Sequence, residues 1–141
     1  MAREIKFRGR MKRTKQWMYG DLAHVQGQPC IQVDVSTDEK KTVGMNVDPD
    51  SVGQFTGLHD KNGKEIYEGD IVKYVYSIPR LGKPSEERTD IGYVGFLQQE
   101  AGFVIVFKKR DQRLGRRSAC EFCVEVIGNI YDNPELLNKE D

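Results

Sequence analysis

A chain of 141 residues, 38% hydrophobic and 31% charged, suits one domain or two small lobes sharing a core, and is too apolar to be wholly disordered. Lys plus Arg and Asp plus Glu each number 22, so net charge gives no pull towards nucleic acid or a membrane surface. The longest clear apolar run, Phe103 to Phe107, is far short of a bilayer span. The basic start MAREIKFRGRMKRTK has no apolar segment behind it to make a secretory signal, and Cys30, Cys120 and Cys123 are too few for a disulfide framework, so a reducing cytoplasm and no membrane contact are expected.

The dominant period is two. Ile5 and Phe7 alternate with Glu4, Lys6 and Arg8 and read as a half-buried strand. QWMYGDL follows, with Trp17 and Tyr19 on one face and Met18 on the other. CIQVDV places Ile31, Val33 and Val35 on one face, and TVGMNV repeats the pattern with Val43, Met45 and Val47. Polar stretches such as STDEKK connect them as hairpins of an antiparallel sheet. Asp48-Pro49 suits an N-cap and first helical position or a type I turn, and sets an internal boundary near Asp50.

The second half is again β. IVKYVY (71–76), IGYVGFL (91–97), FVIVF (103–107) and FCVEVIGNIY (122–131) read as strands, the middle two joined as a hairpin by QQEAG. Gly92, Gly95 and Gly128 inside these runs point to bends or bulges. Asn133-Pro134 opens a short C-terminal helix, NPELL. SIPRLGKPSEERTD (77–90) and KKRDQRLGRRSA (108–119) read as long mobile loops. The expected fold is therefore all-β and mainly antiparallel. A single domain over 1–141 contains an N-terminal meander (1–50) and a small SH3-like or partly open barrel (51–137) that ends in the short helix.

FTGLHDKNGKEIYEGDIVKY (55–74) is the most patterned stretch. Asn62-Gly63 is a hairpin signal because both residues tolerate positive φ. Asp60 is placed to bond its own turn, Gly69 fills the left-handed position of a second turn, and Ile66, Ile71 and Val72 are core candidates. The spacing of Asp60, Glu65, Glu68 and Asp70 does not match a calcium loop, so these carboxylates are expected to cap turns rather than hold a cation.

VGQFTGLHDKNGKEIYEGDIVKY resembles the signature of the YopX family, small proteins of phages and prophages of Gram-positive bacteria. IKFRGR followed by QWMYGDL is similar to the family's opening, and EVIGNIYDNPELL (125–137) to its closing segment. The three matches keep their order over nearly the whole chain; the 77–90 and 108–119 segments match nothing in the pattern. The resemblance implies a mainly β fold and a phage context, and supplies no catalytic residue to carry over.

No catalytic site is expected. Cys120 and Cys123 form a lone C-x-x-C without a second ligand pair, in a strand rather than at a helix N-terminus, which fits neither zinc nor redox chemistry. His24 and His59 stand in no recognisable motif, and G-x-S-x-G, a P-loop and H-E-x-x-H are missing from the sequence. No cofactor or metal is therefore expected. Two basic clusters remain as contact surfaces. One contains Arg8, Arg10, Lys12 and Arg13; the other contains Lys108, Lys109, Arg110, Arg113, Arg116 and Arg117. With Trp17, Tyr19 and Tyr74 as stacking surfaces, they would suit phosphates and bases. Strands apolar on both faces, such as 74–76 and 103–107, favour protein contact. The expected role is that of a non-enzymatic phage accessory protein that forms a homo-oligomer or docks on a host or phage protein, with nucleic-acid binding as the alternative.

Overall fold

The computed structural model describes residues 3–34, 42–108, 114–118 and 124–138. It is all-β and antiparallel, built on two sheets, with short 3₁₀ turns as its helical content. The chain divides into two units between Gly57 and Leu58. The break expected near Asp50 falls instead on a 3₁₀ turn, Pro49–Ser51, inside the first unit.

In the first unit, β1 (Phe7–Arg10), β2 (Trp17–Val25), β3 (Gln28–Asp34) and β4 (Thr42–Asn46) run up and down in sequence. The chain then returns so that β5 (Gly53–His59) pairs with β1, giving the order β4-β3-β2-β1-β5. The β2–β3 hairpin is longer than the alternation shows, because Gln26 and Gly27 both take positive φ, 52° and 78°, and close it in two residues between Val25 and Gln28. Ile31 is fully buried, and Val47 packs where a Cβ on Gly9 would stand, 2.6 Å from its Cγ2. Ser51 locks the returning turn to β1. Its hydroxyl accepts from Arg10 N at 2.8 Å and donates to Asp48 O at 2.7 Å, while Asp48 N donates to Arg10 O at 2.8 Å.

In the second unit, β6 (Glu65–Tyr67) is followed by β7 (Asp70–Arg80), β8 (Lys83–Leu97), β9 (Gly102–Lys108), β10 (Leu114–Ser118) and β11 (Val124–Asn129). The sheet has the order β10-β9-β8-β7-β11, so here too the last strand returns to pair with the first long one. Ile66, Val72, Val94, Ile105, Phe107 and Val124 form its core, edged by Leu58, Tyr74 and Val126. Each such side chain contributes about 1.5–3 kcal/mol relative to exposure. The expected C-terminal helix is a 3₁₀ segment, Pro134–Asn138.

Of the two forms expected for the barrel, SH3-like or partly open, the described residues give an open order with β10 and β11 at opposite ends of the five strands. The supposed loop 77–90 is strand. β7 and β8 pair from Ile71↔Tyr93 out to Arg80↔Lys83, and only Leu81 and Gly82 turn the corner. The proline pair and charges that read as loop are tolerated because Pro79 and Pro84 flank this tip, where a register shift lies between Ile78 and Arg80. Part of 108–119 is also strand, since Leu114–Ser118 pairs with β9.

Candidate interaction surfaces

The carboxylates of the patterned stretch serve the backbone. Asp60 is 1% exposed. Its Oδ1 accepts from Asn62 N and Lys64 N, both at 2.8 Å, and its Oδ2 from Val126 N at 3.0 Å. Burial alone would raise its pKa. The N–H groups of Val126, Lys64 and Asn62, with the Lys64 charge, outweigh burial and hold it below the ordinary value. Asp70 Oδ2 accepts from Tyr67 N at 2.8 Å across the second turn, where Gly69 has φ 89°. Capping is thus what Asp60 and Asp70 do. The first turn differs in one detail: Gly63 has positive φ, 83°, and Asn62 does not. Gly63 N bonds Asp60 O and Asp60 N bonds Lys64 O, which makes a three-residue loop rather than a two-residue one. The Asp60 carboxylate favours this longer form by accepting the N–H of Asn62 within the loop and that of Lys64 at its end.

The first basic cluster is arranged on the sheet of the first unit. Arg8 lies opposite Tyr19 and Arg10 opposite Trp17, so these four share one face of β1–β2. The Arg8 guanidinium lies 4.5 Å from the Trp17 ring centre, and Lys6 Nζ lies 4.9 Å from that of Phe55. Cations layered on aromatics hold this face together. Arg8, read as a solvent-facing contact, is only 5% exposed, whereas Ile5, read as its apolar opposite, is 57% exposed. The stacked indole gives the guanidinium a place to be buried that period-two alternation does not reveal. Arg10 is half-buried, and Lys12 and Arg13 are exposed in the β1–β2 connection.

Of the second cluster, Lys108 ends β9 opposite Leu114, while Arg116 and Arg117 on β10 lie opposite Val106 and Ile105. Lys109, Arg110 and Arg113 lie outside the described residues, as do Cys120 and Cys123. Cys30 is buried in β3. His24 is exposed on β2 and His59 half-buried at the end of β5. Among the described residues, no group of three or more His, Cys, Asp or Glu is placed to hold a metal ion, and no helix is long and apolar enough to cross a membrane.

The feature that sequence reasoning missed is the arm formed by β7 and β8. Strand β11 accompanies β7 only as far as Tyr74, and β9 accompanies β8 only from Gly92. Beyond these points, among the described residues, Val75–Arg80 and residues 83–91 pair with each other alone. The arm ends at Gly82, with φ 69°, and at Leu81, which is 103% exposed. The local signal in the sequence is Gly82, which can take the positive φ of a two-residue turn.

A family model described as YopX protein matches residues 6–138. The chain belongs to the YopX family. The YopX match begins just before β1 and ends with the last 3₁₀ segment, so it takes in the Asp60 and Asp70 clamps, the cation-aromatic face and the whole arm. No curated protein matches the chain.

Proposed function

We propose that this YopX chain is a non-enzymatic accessory protein of a phage or prophage, working in the bacterial cytoplasm through protein contacts with a second copy of itself or with a host or phage protein. The observation that carries this reading is the β7–β8 arm, whose two strands, among the described residues, run past their neighbours and which exposes Val75 and a fully solvated Leu81. A two-stranded ribbon is marginal in water by itself, so it gains most from a partner surface. The signature carboxylates support a non-catalytic role, because Asp60 and Asp70 are committed to backbone N–H groups. Burial of Arg8 under Trp17 removes one of the residues a phosphate site would need.

The test compares the wild-type chain with Leu81→Asp in affinity capture from lysogenic host cells, with chemical cross-linking. Cross-links that involve residues 75–91 and disappear in the variant are expected. A mobility shift with single- or double-stranded nucleic acid at low salt, lost on replacing Lys108, Lys109, Arg110 and Arg113 by Ala, would overturn the reading in favour of nucleic-acid binding.

A further inference from the structure

We propose that one face of the β7–β8 arm is a self-complementary docking surface on which a second copy of this chain packs antiparallel. The inference rests on the interaction reading above and names the partner and the register. Pairing places Tyr74 opposite Asp90, Tyr76 opposite Arg88, Ile78 opposite Glu86 and Arg80 opposite Lys83. Residues directly opposite share a face, and so do residues two apart along a strand. These eight therefore form two rows on one side of the ribbon. The contacts agree: Tyr74 and Tyr76 stack at 5.6 Å between ring centres, and Arg88 Nη2 lies 3.5 Å from Glu86 Oε2. Solvent reaches the outer part of the face, since the Arg88 and Glu86 side chains are 55% and 41% exposed, while Tyr74 at its inner end is half-buried and packs against the core beside Phe107.

The β8 row reads Lys83, Glu86, Arg88, Asp90, with charges alternating positive, negative, positive, negative. Such a row is complementary to its own reverse. A two-fold axis crossing the ribbon at the Ser77–Glu87 pair lays one arm over the other with strands reversed. Lys83 then meets Asp90 of the partner subunit, and Glu86 meets Arg88 of the partner subunit, each pairing occurring twice. The same operation on β7 sets Arg80 over Tyr74 of the partner subunit, a cation–π pairing, and Ile78 against Tyr76 of the partner subunit. A closed, isologous contact needs this self-complementarity. A parallel overlay would set like charges against each other. Strand addition along the arm's edges is the poorer alternative, because Pro79 and Pro84 lack the N–H groups it requires.

The test is the mass of the full chain by light scattering and sedimentation at several concentrations and two ionic strengths. A dimer at micromolar concentration that weakens as salt rises is expected. Glu86→Arg and Arg88→Glu should each weaken it by about tenfold or more, because each sets like charges together across the axis. The double variant Glu86→Arg with Arg88→Glu should restore it, because exchanging the two charges preserves every cross-axis pair. Circular dichroism checks the fold of each variant, and if one fails to fold, the mass and salt response of the wild type decide. A wild-type monomer at tens of micromolar overturns the inference and leaves a heterologous partner to the capture experiment. A dimer indifferent to both single exchanges also overturns it and leaves self-association through another surface.

Discussion

Asp60 accepts three backbone N–H groups, two from its own loop and one from Val126 on β11, and so ties the β6 hairpin to the returning strand. Nearby, Lys61 and Glu125 form an ion pair at 3.3 Å with side chains 52% and 34% exposed. A solvent-exposed pair contributes up to about 1 kcal/mol, whereas leaving buried donors without their acceptor costs about 1–3 kcal/mol, more when the acceptor was charged. The carboxylate is thus the stronger link. Asp60→Asn should lower stability at neutral pH by about 2 kcal/mol, while Lys61→Ala should change it by less than about 1 kcal/mol. The sign with pH follows from the lowered pKa of Asp60. Its contribution is complete above the unfolded carboxylate value of about 4 and is lost as pH falls through the lower folded value. Thermal melts from neutral pH downwards should show wild-type stability falling in the acid range, with a shallower fall for Asp60→Asn. An identical acid slope in the two proteins would remove Asp60 from this role.

At the level of elements, close backbone approach decides which glycines matter. A Cβ on Gly92, in the middle of β8, would collide with the Val106 carbonyl oxygen and stand 2.9 Å from Phe107 Cδ1 and 3.1 Å from Ile105 Cγ2. At Gly95, three residues on, it would meet only Tyr93 Cε2 at 3.7 Å, an ordinary contact. Gly92→Ala should therefore cost about 1–3 kcal/mol in a denaturant titration, while Gly95→Ala should change stability by less than about 0.5 kcal/mol. The glycines in strands were readable as special positions; which of them is crowded was not, because crowding comes from the neighbouring strand. Other elements follow the same division. Alternation marked β2, β3, β8 and β9, and Gly63 and Gly69 marked their turns, since these signals are local. The β7–β8 arm was hidden because two prolines and a dense run of charge read as loop when no neighbouring strand is known. Arg8 was misplaced for a related reason: its burial depends on Trp17 across the strand pair, which lies one connection away in sequence.

On the scale of the whole molecule, each unit repeats one plan, a run of sequential hairpins followed by a strand that returns to pair with the first. In one unit β5 returns to β1, with Phe7 opposite Gln54; in the other β11 returns to β7, with Val124 opposite Tyr74. Hairpins close short loops, whereas the return pairings close long ones and bear a larger entropic cost. The return strands should therefore dock late, after the meander has formed. Val94 and Val124 separate the two stages, because both are 2% exposed in the same core cluster but lie on β8 and β11. Truncation of either to Ala should cost about 2 kcal/mol. Val94→Ala should act mainly by slowing folding, since β8 is the centre of two local hairpins. Val124→Ala should leave the folding rate nearly unchanged and speed unfolding by about thirtyfold, the full effect appearing after the transition state. Stopped-flow folding and unfolding rates over a denaturant series measure both limbs. If Val124→Ala slows folding as much as Val94→Ala does, β11 is already docked when the barrier is crossed, and the order of assembly argued from the topology is wrong.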